Sequence, residues 1–217
     1  SDDVMWCKKP KQLPEFWQRY LTLMDSPPPK SLEEKTFVVL DTETTGFHPK
    51  KDRIISFGAI KVRNNSIILA DCIEFYIAQD HYDAQSAPIH GILQSETKNQ
   101  LNELEALEKI IDYLANHYIV AHHAGFDVRM INQALKRHGL SPLKNKVFDT
   151  GYLHRKSLIH SPLVDRDKIY SLDELAEKYD IPKKDRHTAL GDAYITALLF
   201  LKISHHIKEK DKRLLYR

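Results

Sequence analysis

The run Val38-Val39-Leu40-Asp41-Thr42-Glu43-Thr44-Thr45-Gly46 constrains the chain more than any other stretch. Phe37 to Leu40 is short, apolar and β-branched, the composition of a buried strand. It ends in two carboxylates, Asp41 and Glu43. Alternate residues of an extended chain face the same side, so both acids project together. Like charges side by side at a strand end are unfavourable unless a cation lies between them. Oxygen donors of this kind suit a hard divalent ion such as Mg²⁺ or Mn²⁺. Gly46 then allows a sharp turn close to whatever lies beside the ion. The competing reading is a loop of solvated acids after a strand.

With 217 residues and 42% hydrophobic content, the chain can form one full-sized domain plus an appendage. The net charge of +2 decides little, because an acidic site would mask basic surface in the sum. Cys7 and Cys72 have no metal-type spacing, and the expectation is a reduced, cytoplasmic protein. No apolar run reaches membrane-spanning length, so no membrane partner is expected. The first residue is Ser1 rather than Met, which reads as a processed N-terminus.

Residues 1–35 read as a helical appendage and a proline-rich spacer. Leu13, Phe16, Trp17, Tyr20, Leu21 and Met24 recur at helical spacing, and Pro27, Pro28 and Pro29 follow. The aromatic face of that helix is expected to dock on its own domain, a partner-binding helix being the alternative. Residues 36–204 carry the main domain. Strands are expected at Ile54 to Arg63 and Ile67 to Ile77, joined by a tight turn at Asn64-Asn65. Residues 78–96 read mostly as loop. A helix is expected through Leu104, Leu107, Ile111 and Leu114, a strand at Tyr118 to Ala121, and a helix through Val128, Ile131 and Leu135 that stops at Gly139. Val147-Phe148 is a fifth strand. Residues 143–170 read as loop-rich and carry several bases, including Lys144, Lys146, Arg155 and Lys156. Ser171 caps a helix through Leu172 and Leu175, and Ala189 to Ile203 is a buried helix. A basic tail occupies 205–217. Strands first, then alternating helices and strands, predict an α/β fold with a mixed sheet.

Ligands of such sheets gather at strand carboxyl ends. A second strand end carries His122-His123-Ala124-Gly125-Phe126-Asp127. Asp127 alone would read as a first-turn helix charge. Asp192 lies early in a nearly apolar helix, where an unpaired carboxylate is costly and needs a cation or strong partner. Asp41, Glu43, Asp127 and Asp192 could together hold two divalent ions, an arrangement suited to in-line displacement at phosphorus. His187, five residues before Asp192, could take the proton of an attacking water.

Asp41 to Gly46, Val120 to Asp127, and His187-Thr188-Ala189-Leu190-Gly191-Asp192 resemble, in order, the three motifs of the DEDDh 3′–5′ exonuclease family. The likeness is greatest to the proofreading (epsilon) subunit of bacterial DNA polymerase III and its stand-alone relatives, and covers about residues 36–204. It implies an RNase H-like fold, a mixed five-stranded sheet flanked by helices. It also implies metal-dependent release of nucleoside 5′-monophosphates from DNA 3′ ends. By resemblance, Asp41, Glu43, Asp127 and Asp192 bind or position two ions, Mg²⁺ or Mn²⁺. Asp41 bridges them, Asp127 acts partly through water, and His187 is the general base. Thr188 stands where a sister family carries tyrosine, which assigns the histidine subtype. Ala87-Pro88-Ile89-His90-Gly91-Ile92 is similar to a segment near the terminal nucleotide, so Thr44, Thr45, Gly46 and His90 are expected substrate contacts. Two positions depart from the family pattern: His123 replaces an asparagine, and Ser56 stands near a common glutamate.

The expected partner is nucleic acid, chiefly single-stranded or frayed DNA 3′ ends. RNA or short oligoribonucleotides are the alternative, since that choice rests on contacts to the 2′-OH. A non-catalytic binding module acting through the 13–24 helix is a third reading. Proofreading would require a polymerase partner, for which the same helix is the candidate surface.

Overall fold

The computed structural model describes residues 12–79, 100–158, 165 and 167–207. Helix α1 (Glu15–Met24) precedes strand β1 (Thr36–Thr44) and the hairpin β2 (Ile54–Arg63) and β3 (Ser66–Tyr76). Helix α2 (Glu103–Leu114), β4 (Tyr118–Ala121), α3 (Ala124–Arg137), β5 (Val147–Asp149), α4 (Thr150–Ser157), α5 (Leu172–Lys178) and α6 (Ala189–His206) follow. The five strands form one sheet in the order β3-β2-β1-β4-β5. β1 to β3 pair antiparallel, whereas β4 and β5 run parallel to β1. This is the expected mixed sheet flanked by helices.

Alternation along β1 divides the core. Val38 and Leu40 pack with α1, α2 and α3 on one face. Phe37 and Val39 pack with α4, α5 and α6 on the other. Asp41 and Glu43 continue the second series, which turns them toward α6.

Local chemistry accounts for the element ends. Asn64 and Asn65 both take positive φ (48° and 57°), the geometry of a two-residue hairpin, which asparagine tolerates. Asn102 and Ser171 close capping boxes with Glu105 and Glu174. Gly139 adopts φ 73° just past α3, where a side chain would be strained.

The loop-rich stretch 143–170 holds one helix that the sequence pattern did not predict, α4 at Thr150–Ser157. Its sequence is short and polar, with weak amphipathicity. The helix is held instead by its start, where the Asp149 carboxylate accepts from Tyr152 N–H at 2.8 Å. The aromatic face of α1 docks on the domain: Phe16, Trp17 and Tyr20 are buried in the first core. Residues 87–92 and the tail from Lys208 lie outside the described residues. Among the described residues, no helix is long and apolar enough to cross a membrane.

Candidate active site

The carboxyl ends of β1, β4 and β5 share one edge, and the candidate residues converge there. One oxygen each from Asp41, Glu43 and Asp192 lies within 4.8 Å of the others. The first two come from the end of β1 and the third from the first turn of α6. The sheet is shaped to admit that helix. Gly58, paired with Asp41 across the β1–β2 ladder, faces α6 with no side chain, and a Cβ there would sit 2.2 Å from Leu190 N. A register shift after Glu43 ends the regular pairing beside the acids.

Asp127 stands in the first turn of α3 and is buried. Its Oδ1 accepts from Thr42 N–H at 3.0 Å and from the Thr42 hydroxyl at 2.7 Å. It lies outside the tight trio yet close enough to act on Asp41 through charge. Without a cation, the acids hold their protons unusually well. Burial pushes Asp41 well above the carboxylate range, reinforced by Asp127, Asp192 and Glu43. Glu43 is pushed to about 7 by burial and then by Asp192. Burial also raises Asp127 to about 7, against the Thr42 hydrogen bonds, and raises Asp192 against the Arg186 guanidinium. Oxygen-only donors, half-buried at Asp41 and Glu43 and buried at Asp127 and Asp192, whose charges are this unfavourable fit a hard divalent cation.

Sequence reasoning missed Arg186. Its guanidinium donates to Asp192 and, at 2.8 Å, to Asp173 of α5. A cation one residue before His187 was the available signal. His187 is exposed, and its backbone N–H donates to Asp192 Oδ1 at 3.1 Å. It occupies the left-handed region (φ 69°), as does Asp185 (φ 57°). Such backbone is uncommon outside glycine, though histidine and aspartate are enriched there. Thr188 fixes the turn: its hydroxyl donates to Asp185 O at 2.8 Å and accepts from Gly191 N–H at 3.0 Å.

The loop after β1 uses its polar groups internally. The Thr44 hydroxyl donates to Gly46 O at 2.8 Å, and that of Thr45 to Asp52 Oδ1 at 3.0 Å. Gly46 is required for space rather than for a left-handed turn, since a Cβ there would meet the Asp52 carboxylate at 2.7 Å. The next residue, Phe47, is 86% exposed and stands 6.2 Å, centroid to centroid, from Phe126 of α3. These rings were also missed, although an aromatic directly after Gly46 was visible. His122 is a neutral strut: its Nε2–H donates to Tyr170 O and its Nδ1 accepts from the Thr150 hydroxyl, both at 2.8 Å. Burial, with the neighbouring His123, lowers its pKa to about 4. His90 lies outside the described residues.

The carboxylate-ended mixed sheet belongs to the RNase H-like class. Its architecture matches that of Escherichia coli exonuclease I in complex with a dA16 oligonucleotide, with a TM-score of 0.68 at 23% identity over 84% of this chain and 43% of that one. The RNase_T exonuclease family model matches residues 38–200. Curated relatives include the PolC-type DNA polymerase III of Thermotoga petrophila, 35% identical over 82% of this chain, and that of Ureaplasma parvum, 34% identical over 79%. The chain spans 12% of the length of those two relatives. It belongs to the exonuclease family, as the order of its three motifs led us to expect.

Proposed function

We propose that the chain is a metal-dependent 3′→5′ exonuclease that removes nucleoside 5′-monophosphates from DNA 3′ ends. The observation that carries the reading is the convergence of Asp41, Glu43 and Asp192 within 4.8 Å at the strand edge of an exonuclease-family domain. Asp41, Glu43, Asp127 and Asp192 would hold two divalent ions, Mg²⁺ or Mn²⁺. Bound there, such ions supply Lewis acidity and a water that ionises near neutral pH.

The chain's own groups supply the rest. Asp41 is central to the set, since its charge is felt against each of the other three acids. The His187 imidazole accepts the proton that the attacking water loses. Its strained backbone fixes the ring's point of departure beside Asp192. Phe47 and Phe126 grip the terminal base by stacking, which any base can satisfy. Thr44, Thr45 and Gly46 shape the loop that carries Phe47 against the strand end. His90 is retained as a substrate contact by resemblance alone. The polymerase relatives support DNA as the strand that is trimmed and leave room for a polymerase partner.

The test is digestion of a 5′-labelled single-stranded DNA oligomer with and without Mn²⁺. The expected result is a metal-dependent ladder shortening from the 3′ end, slowed about 10²- to 10⁴-fold in His187→Ala. A matched RNA oligomer run beside it reads the sugar preference. Folded wild-type protein that released no mononucleotide with either Mg²⁺ or Mn²⁺ would overturn the reading.

A further inference from the structure

The same edge of the sheet carries a second concavity that the catalytic residues do not use. A groove of about 630 Å³ opens beyond the end of β5, lined by His123, Phe148, Asp149, Tyr152, Arg155 and Ile169. Its position relative to the acids follows from the sheet. Val39 pairs with Val120, and Val120 with Phe148, so the groove lies two strands from Asp41. At ordinary strand spacing that is roughly 10 Å.

The chemistry of its walls is uneven in a particular way. The Tyr152 ring is 44% exposed. Two cations lie near it: Lys156 Nζ is 5.4 Å from the ring centroid, and the Arg155 guanidinium 6.0 Å. Ile169 adds an exposed apolar wall, and His123 follows the end of β4, the strand between β1 and β5. The acid in the groove, Asp149, is already engaged. Its Oδ2 accepts from Ala124 N–H at 2.7 Å and its Oδ1 from Tyr152 N–H at 2.8 Å, tying the starts of α3 and α4 together. What faces outward is therefore an aromatic ring with two cations beside it, one turn further along the same helix. That pattern suits a single nucleic-acid strand, whose bases stack on the ring while its phosphates meet the guanidinium and the ammonium.

Resting on the exonuclease reading above, we propose that this groove holds the strand on the 5′ side of the scissile bond. Tyr152 stacks an internal base, and Arg155 and Lys156 contact the flanking phosphates. The site then acts on strand length rather than on chemistry. A dinucleotide fills the catalytic edge and falls short of the groove, whereas a longer strand spans both. Since every base presents a π-face, the groove favours long strands without reading sequence.

The measurement is the ratio of KM for a dinucleotide to KM for an oligomer of roughly ten nucleotides, on the full chain with Mn²⁺. Tyr152→Ala is expected to lower this ratio about tenfold, through a higher KM for the oligomer at little change in kcat. Tyr152→Phe keeps the ring and is expected to keep the ratio. The double change Arg155→Gln with Lys156→Gln is expected to flatten the dependence of log KM for the oligomer on log salt by about 1.4, two single-strand phosphate contacts at ~0.7 each. Melting curves of each variant confirm that the fold is intact, as expected for the exposed Tyr152 and Lys156 and the half-buried Arg155. Unchanged ratios and salt slopes, with the wild type degrading both substrates, would overturn this inference alone. A wild type that degraded neither would overturn the exonuclease reading and this inference with it.

Discussion

Gly58 and Leu190 meet backbone to backbone, so closely that a single methyl group on Gly58 would stand 2.2 Å from the Leu190 nitrogen and 2.4 Å from the Ala189 carbonyl carbon. That contact sets the depth at which α6 lies on the sheet. Asp192 is two residues beyond Leu190, so the same contact sets its distance from Asp41 and Glu43. Gly58→Ala should force the helix start outward. The expected cost is about 1–3 kcal/mol of stability, as for other overpacked cores, with weaker Mn²⁺ binding in the folded protein. Urea denaturation paired with Mn²⁺ titration calorimetry checks both. A variant of wild-type stability and wild-type Mn²⁺ affinity would show that the helix does not set the site.

Arg186 bears on the same acid directly. Its guanidinium is shared between Asp192 and Asp173, and so places a positive charge at the margin of an otherwise acidic cluster. Removing it leaves Asp192 among like charges. Arg186→Gln should therefore destabilise the metal-free protein by about 1–3 kcal/mol, less than a fully buried pair would cost because the guanidinium is partly exposed. A divalent ion would then supply the missing charge. The rise in Tm on adding Mn²⁺ should be larger in Arg186→Gln than in wild type, measured by scanning calorimetry in EDTA and in Mn²⁺. Equal rises would mean that the guanidinium does not offset the charge of the acid cluster.

The raised carboxylates predict a pH effect of definite sign. Glu43 titrates near 7 in the folded chain and near 4.5 when unfolded, so between these values the folded state binds more protons. Its contribution to stability is complete below the unfolded value and is lost as pH rises through about 7. The buried His122 and His154, both lowered to about 4 chiefly by burial, act in the opposite direction between about 4 and 6.5. Comparing wild type with Glu43→Gln cancels them. In EDTA, the stability of Glu43→Gln relative to wild type should grow between roughly pH 5 and pH 8 by about 1–3 kcal/mol. Saturating Mn²⁺ at the upper pH should reverse the order, because the ion binds the ionised acid. Parallel melting curves across that range in EDTA would rule out a perturbed Glu43.

The sheet was legible because its strands carry strong local signals. β-branched runs at 37–40 and 118–121 and the Asn64-Asn65 turn each identify their element without reference to the others. The acids were legible by position, at strand ends and early in an apolar helix. What escaped notice depends on contacts between segments distant in sequence. Gly58 looks like any strand glycine until α6 is seen lying on it. Arg186 looks like one of many surface cations until Asp173 and Asp192 are both beside it. α4 escaped because eight residues with a polar surface have almost no helical periodicity, and its stabilising cap comes from Asp149, itself the last residue of a strand.

The last prediction concerns α1, which lies wholly outside the family match beginning at residue 38. An appended helix with an aromatic face could serve to recruit a partner. Here that face is already occupied. Trp17 is 1% exposed and Tyr20 equally so, both within the core that holds α2 and α3. The Tyr20 hydroxyl donates to Asn145 Oδ1 at 2.6 Å and accepts from Lys144 N–H at 2.7 Å. Asn145 in turn donates to the carbonyls of Ala115 and His117, so one tyrosine fastens the approaches to both β4 and β5. Outside the core, Arg19 reaches Asp112 of α2 at 3.0 Å. The helix is thus a structural part of the domain. Trp17→Ala should cost about 3–5 kcal/mol, and Tyr20→Phe about 1–3 kcal/mol, because it strands the buried Asn145 oxygen. Deleting residues 1–30 should lower Tm further than either and reduce nuclease activity only in proportion to the unfolded fraction. Urea and thermal melts of the three proteins, read against activity at a temperature where all are folded, decide it. A deletion that left Tm unchanged would return α1 to the role of a free docking helix.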